Sequence, residues 1–234
     1  MGTIDLTLQG KGGVGKSYVA SLLAQHYLER GADLACFDTD PVNRTFGGYK
    51  AFNAEIVQLG DRPDEINPRY FDHLMEKLMS IPDDGHVVID NGASTFLPML
   101  GYMVEDDALA MLKSAGHEVR LHAVLAGGQA LNDTMQGLAQ VLLNVPDVPV
   151  VAWLNEYFGR IEMRRTDGSV EGFESSKLYK DNQDRIHALI RLPEVRKETF
   201  GHDIDQMMRA RLTFEQASDF PELPVMAQQR LRMT

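Results

Sequence analysis

Residues 10–17 read GKGGVGKS and hold two lysines, Lys11 and Lys16, five positions apart. The glycines leave the backbone free to turn with its N–H groups aimed at one centre. A centre lined that way takes an anion. The spacing G-x-x-x-x-G-K-[ST] is that of a loop cradling nucleoside phosphates. In that chemistry Lys16 reaches the outer phosphates and the Ser17 hydroxyl takes a position on Mg²⁺. The expected cradle comprises Gly10, Lys11, Gly12, Gly13, Val14, Gly15, Lys16, Ser17 and Tyr18.

Two acidic sites match this loop. Asp90 ends the apolar run HVVID, where a carboxylate would hold the metal through water. Asp38 and Asp40 lie in FDTDPVN, after a second short apolar run expected to form the strand beside the first. Carboxylates at such a tip can face the metal and the attacking water. The expected metal set is Ser17, Asp38 and Asp90, and the expected catalytic set is Lys11, Lys16 and Asp40. Asn91 follows Asp90 where many fast ATPases carry a carboxylate, so slow hydrolysis is expected, as in a timer or switch. The stretch Asn155-Glu156-Tyr157-Phe158 lacks the Asn-Lys-x-Asp pattern that reads guanine. The Asn155 amide could instead bond adenine N6 and N7, which favours ATP.

Lys11 needs a separate reading. At its position a lysine points away from the phosphates of its own chain. It becomes useful if a second subunit docks face to face, because its ammonium then reaches the neighbour's phosphates. A cation supplied in trans in this way is worth roughly 10³–10⁵ in rate.

Alternating strands and helices must position these groups. Strands are expected at 4–10, 33–38, 86–90, 119–128, 149–155 and 186–193. Helices are expected at 16–30, 67–80, 129–144 and 203–232. The first helix shows Val19, Leu22, Leu23, His26 and Tyr27 on one face. Such alternation implies right-handed crossovers and a doubly wound, mostly parallel α/β sheet in a single domain over 1–234. Residues 156–184 read as an irregular, mobile insertion.

Composition narrows the function classes. With 234 residues and 44% hydrophobic content the chain can bury a large core. No signal peptide or membrane span is apparent, and a cytoplasmic location is expected. The one cysteine, Cys36, excludes a disulfide framework and a bridging iron–sulfur cluster, which would need two cysteines per chain. Net charge is −11, with 10 basic against 20 acidic residues in 1–155 and 13 against 14 in 156–234. This balance argues against a constitutive nucleic-acid binder. Direct DNA contact, if made, would use Arg160, Arg164 and Arg165 or the stretch Arg191–Lys197. His86, His117, His122 and His202 are scattered and offer no acid–base set for a phosphotransferase or ligase. The tail PELPVMAQQRLRMT is weakly amphipathic and gives a membrane-associating alternative little support.

KGGVGKS resembles the deviant Walker A signature of the P-loop ATPase family that holds ParA, MinD and the nitrogenase iron protein. The resemblance covers most of residues 1–200 and implies ATP and Mg²⁺ as cofactors, with ATP closing a sandwich homodimer. It matches Lys11 to the signature lysine, Asp40 to the residue that positions water, Asp90 to the second acidic motif and Asn155 to the adenine contact. Pro193 joins Asn155 in the expected cofactor-binding set. The stretches DTDPVNRTFGGYKA, DEINPRYFD, IDNGAST, GGQALNDT, WLNEYFG and RLTFEQA are similar to plasmid-borne TraL and StbB proteins. That likeness implies plasmid transfer, stability or positioning, with a plasmid-encoded DNA-binding or conjugation protein as partner. One departure is at Asp90-Asn91-Gly92-Ala93-Ser94, where ParA-type proteins read Asp-x-Pro-Pro.

Overall fold

The structure is a computed structural model that describes residues 2–62, 65–164 and 167–234. From the N-terminus it runs β1 (Thr3–Thr7), α1 (Lys16–Glu29), β2 (Leu34–Asp38), β3 (Glu55–Ile56), α2 (Tyr70–Met79) and β4 (His86–Asp90). Then come α3 (Phe96–Glu105), α4 (Ala108–Ser114), β5 (Glu118–Ala126), α5 (Leu131–Asn144) and β6 (Val150–Asn155). A hairpin of β7 (Glu162–Arg164) and β8 (Val170–Gly172) follows, with a short α6 (Lys177–Lys180) and β9 (Ile186–Leu192). The chain ends in α7 (His202–Arg209), α8 (Phe214–Ser218) and α9 (Val225–Arg232).

Seven strands make one sheet in the order β3-β2-β4-β1-β5-β6-β9. Every pairing in it is parallel. The second strand is therefore not beside the first, as expected, because β4 lies between them. The register aligns Asp38 with Asp90 and Asp90 with Thr7, so three strand ends meet in one row. The chain leaves β1 toward β2 and leaves β4 toward β5, in opposite directions. A crevice opens outside the carboxyl ends where connections diverge in this way.

The expected strands and helices are present with ends shifted by a few residues. Outside the segment 156–184, the elements β3, α3 and α4 have no counterpart in the expected pattern. Pro98 in FLPMLGYMVE stands in the first turn of α3, where its missing N–H costs nothing. The segment expected as one helix over 203–232 divides into α7, α8 and α9. The segment expected as irregular forms the β7–β8 hairpin, and Ile161 and Phe173 anchor it in the main core.

Helix α1 is buried on more than one side. Val19, Ala20, Ala24 and Tyr27 are buried in apolar clusters that include sheet residues, and Ser21 and Gln25 are buried as well. His26, expected on the apolar face, is exposed. Leu223 and Leu231 of the tail pack into a separate cluster, and Arg230 and Arg232 pair with Asp203 and Asp219. Both tail arginines and these two leucines are thus engaged, whereas Val225, Met226 and Met233 are exposed. Among the described residues, no helix is long and apolar enough to cross a membrane.

A polar chain crosses the core below the strand tips. Asp5 is 1% exposed and accepts from the Tyr27 hydroxyl at 2.5 Å. Its other oxygen meets His122 Nε2 at 2.8 Å. Trp153 Nε1 donates to His122 Nδ1 at 2.9 Å, which places the ring proton on Nε2, facing Asp5. Tyr27 stacks on His86 at 4.2 Å. The histidines that look scattered in sequence are thus partly joined, but in a layer closed to any substrate.

Gln9 fixes the approach to the glycine loop. It is fully buried, and its Nε2 donates to Val124 O at 3.1 Å and to Thr134 O at 3.0 Å. A Cβ at Gly137 on α5 would overlap Gln9 Oε1 and stand 2.8 Å from its Cδ. Alanine normally stabilises a helix interior by about 1 kcal/mol over glycine. Here the overlap falls on a side chain that cannot move away, and overpacking costs about 1–3 kcal/mol. Gly137→Ala is expected to lower stability in urea unfolding by about that amount, against the helix-propensity trend. A gain in stability would show that Gln9 is not held as described.

Candidate functional site

The loop between β1 and α1 adopts the geometry its glycines permit. Gly13 and Gly15 have φ of 73° and 102°, values that side chains with a Cβ rarely adopt. Gly10 packs on the Phe96 ring and Gly12 faces Ala93. Val14 is buried, and its carbonyl accepts from Asn155 Nδ2 at 2.9 Å. The start of α1 at Lys16 aims its free N–H groups into the loop. Lys16 is only 8% exposed, and its ammonium donates to Lys11 O at 2.9 Å, across the loop. Burial pulls its pKa down, while Asp90 and Asp40 hold it up.

The row of strand ends carries the acidic groups. Asp90 is 2% exposed and accepts from Thr7 Oγ1 at 3.0 Å. Burial pushes its pKa up from the ordinary 3.8 to about 7. Asp38 adds to that rise, whereas hydrogen bonds from Ser17 and Thr7 and the charge of Lys16 oppose it. Asp38 is fully buried and accepts from the backbone N–H of Asp40 at 2.9 Å and of Gly47 at 2.7 Å. Burial raises its pKa also.

Asp40 is half-buried and caps the loop it begins. Its Oδ1 accepts from the N–H groups of Val42 at 2.9 Å and Asn43 at 3.0 Å, and its Oδ2 from Asn43 Nδ2 at 3.2 Å. It packs directly on Gly92, where a Cβ would come within 2.9 Å of Asp40 Cα. Lys16 and Ser17 from the start of α1, Asp38 and Asp40 from the end of β2 and the loop after it, and Asp90 from the end of β4 thus gather at one crevice.

Other expected residues take places that the sequence does not reveal. Asn155 is 5% exposed, and both ends of its amide are engaged, with Nδ2 on Val14 O and Oδ1 accepting from Tyr157 N. To read a base it must give up one of these partners. Pro193 is exposed and follows Leu192, the register partner of Asn155. The Tyr18 side chain turns outward onto the α7–α9 cluster, where burial pushes its phenol up to about 12. Only its backbone is left for the loop. Lys11 is exposed and pairs with Asp133 in the first turn of α5 at 2.7 Å.

Asn91 takes a bracing place beside the site. It is fully buried, and its Oδ1 accepts from Thr39 Oγ1 at 2.9 Å and Thr95 Oγ1 at 2.8 Å. Its side chain points into the protein and braces the loops after β2 and β4. Asn91 thus leaves no carboxylate at this position, and its amide oxygen is committed to the two hydroxyls. Thr7, Gln9 and Asp133 carry no site signal of their own in the sequence. The only hint was polar residues lying within apolar runs or beside a glycine loop.

Two of the cations proposed for DNA pair with carboxylates, whereas Arg164, Arg196 and Lys197 have no carboxylate partner among the described residues. Arg191 pairs with Glu156 at 2.7 Å and Glu174 at 3.0 Å, and Arg160 lies 3.6 Å from Glu162. Arg165 lies outside the described residues.

The sheet order and the glycine loop define a P-loop NTPase fold. The same fold is seen in the septum site-determining protein MinD of Pyrococcus horikoshii OT3, solved in complex with Mg-ADP. The two share 17% identity and a TM-score of 0.53, covering 99% of this chain and 94% of that one. The MinD cell division protein of Aquifex aeolicus gives 11% identity and a TM-score of 0.52, over 99% and 98% of the two chains. At such identities the likeness shows fold alone. Over its full length the chain is 44% identical to a protein TraL of Escherichia coli, covering 94% of it, and 43% identical to a second. The chain belongs to the TraL family. No protein-family model matches it.

The raised pKa of Asp90 sets a pH dependence. Below about pH 4 the group is protonated in both folded and unfolded chains. Between about 4 and 7 the unfolded chain gives up this proton and the folded protein keeps it, so stability falls as pH rises. Asp90→Asn is expected to flatten most of this slope in urea titrations at pH 5 and pH 8. The variant should be the more stable protein at pH 8, by at most about 4 kcal/mol. An unchanged slope would contradict the placement of Asp90.

Proposed function

We propose that the protein is an ATP-operated, dimerising switch that acts in plasmid transfer, stability or positioning through a partner protein. The observation that carries this reading is the pair of lysines. Lys16 is buried at the crevice beside the carboxylates. Lys11 stands exposed at its rim, held by its pair with Asp133, where it would face a second copy.

The residues fit a magnesium nucleotide. Asp90 holds a proton unusually tightly because it is buried beside Asp38 with little countercharge, and a divalent cation relieves that condition. Ser17 and Asp90 would hold the metal, with Asp38 behind them. When bound, Mg²⁺ supplies charge neutralisation to the phosphates and the carboxylates. Lys16 exchanges the carbonyl of Lys11 for phosphate oxygens, and the N–H groups of Gly12–Ser17 surround them. Asp40, at the edge of the crevice, is the group to orient water.

ATP drives association only if it binds the closed dimer better than the open monomer. Lys11 provides that difference, because its attraction to phosphate exists only across the interface. Its pair with Asp133 is exposed on both sides and contributes less than about 1 kcal/mol, so little opposes its release. The missing guanine pattern after β6 supports adenine. A phosphotransferase or ligase reading gains nothing from the Asp5–His122–Trp153 chain, which is closed to solvent.

Lys11→Ala is expected to keep nucleotide affinity within about threefold while losing ATP-dependent dimers and at least about 10³ in turnover. Size-exclusion chromatography with light scattering and a phosphate-release assay read these directly. Lys16→Ala is expected to lose nucleotide binding itself. ATP-dependent dimers and wild-type turnover in the Lys11 variant would overturn the trans role.

A further inference from the structure

Helices α7–α9 form a unit with its own apolar cluster around Met207, Ala217, Leu223 and Leu231. This unit sits on α1, the helix that begins at Lys16. Tyr18 packs into the cluster, and Phe214 N donates to Gln25 Oε1 at 2.7 Å. Gln25 in turn donates to Ser21 O at 3.1 Å. The unit also touches a second part of the site through one residue.

Arg211 lies between α7 and α8 with φ of 55°, a left-handed value uncommon for a residue with a Cβ. Its side chain lies flat on Gly48, where a Cβ would overlap Nε, Cδ and Cζ of Arg211. Among the described residues its guanidinium has no ion-pair partner. Ion pairing therefore does not explain its placement, whereas its contact with Gly48 is close. Gly48 ends the turn Phe46–Gly48, and the middle residue of that turn, Gly47, donates its N–H to Asp38 Oδ2. The other oxygen of Asp38 holds the N–H of Asp40. A continuous path of contacts thus runs from Arg211 through Gly48 and Gly47 to Asp38 and Asp40.

We propose that Arg211 is a positioning residue for the nucleotide site: it presses the Phe46–Gly48 turn onto Asp38 and so couples helices α7–α9 to the loop that carries Asp40. The proposal rests on the nucleotide reading above for its ligand, but the contact itself can be tested in the free protein. The loop 39–49 cannot shift without lifting Arg211, and lifting Arg211 loosens the turn between α7 and α8.

Two substitutions act on the contact from opposite sides. Arg211→Gly removes the side chain while glycine adopts the left-handed turn freely, so the thermal midpoint is not expected to fall. Gly48→Ala puts a methyl where the side chain of Arg211 lies, at a position whose backbone is not left-handed. Arg211→Lys keeps a long stem over Gly48 and serves as the rescue. Amide hydrogen exchange is followed by mass spectrometry in the full chain, free and with Mg²⁺ plus a non-hydrolysable ATP analogue.

In the free protein, exchange in 39–49 is expected to rise several-fold in both Arg211→Gly and Gly48→Ala, and Arg211→Lys is expected to restore most of the protection. With the analogue, the wild type is expected to gain protection in 10–17, 39–49 and 202–232 together. In Arg211→Gly and Gly48→Ala the gain is expected in 10–17 but no longer in 202–232. Free-state exchange in 39–49 equal to wild type in both variants would overturn the role of Arg211. So would an undiminished response of 202–232 in the variants. A wild type that shows no protection in 10–17 would instead overturn the nucleotide reading, while the free-state comparison still decides the contact.

Discussion

Two buried carboxylates on adjacent strands constrain the whole carboxyl edge of this sheet. Asp38 and Asp90 stand opposite each other in register, and both are closed to solvent. Each is costly to ionise there, and the nearby ammonium of Lys16 offsets only part of that cost at Asp90. The fold tolerates the arrangement by giving each carboxylate hydrogen-bond donors. Thr7 and Ser17 serve Asp90, and the amides of Asp40 and Gly47 serve Asp38. Those donors belong to the segments that must shape a phosphate site, so the electrostatic need and the site geometry have one solution.

The surrounding loops are tied both to one another and to the sheet. Asn91 accepts two hydroxyls from different loops, and Gln9 binds β5 and α5 at once. Buried polar groups of this kind specify one arrangement, because leaving any one unpaired costs about 1–3 kcal/mol. The exposed pair of Lys11 and Asp133 is the opposite case. It is weak, solvent-screened and readily exchanged. The switch proposed above uses both kinds of contact: a rigid crevice around the carboxylates, and a cation at the rim with a weakly held partner.

Much of this was legible in the sequence, and the reasons for the rest are physical. The glycine loop, Asp90 and the parallel alternation carry strong local signals, because backbone freedom, strand ends and periodicity are written in neighbouring residues. Strand order is not local, which is why β4 was not expected between β1 and β2. Helix α3 was hidden by Pro98 and by a nearly all-apolar run that lacks helical periodicity. The face of α1 was misread because the helix is covered by the sheet on one side and by α7–α9 on another, so small residues and Gln25 are buried while His26 is not. Asn91 looked like a missing catalytic group, and only the hydroxyls of Thr39 and Thr95, distant in sequence or on the next turn, show what it holds. Arg211 opens the stretch RLTFEQA, but its contact with Gly48, more than 160 positions away, is not written in neighbouring residues.

The central claim is that Asp90 sits in an under-compensated charge cluster that a magnesium nucleotide completes. The most direct test is a carbon-detected NMR titration of the Asp90 side-chain carboxyl, in the free protein and with Mg²⁺ and an ATP analogue. The account predicts a midpoint of about 7 in the free protein, falling to about 4 or lower when the ligand is bound. A free-protein midpoint already near the ordinary 3.8, unmoved by the ligand, would contradict it.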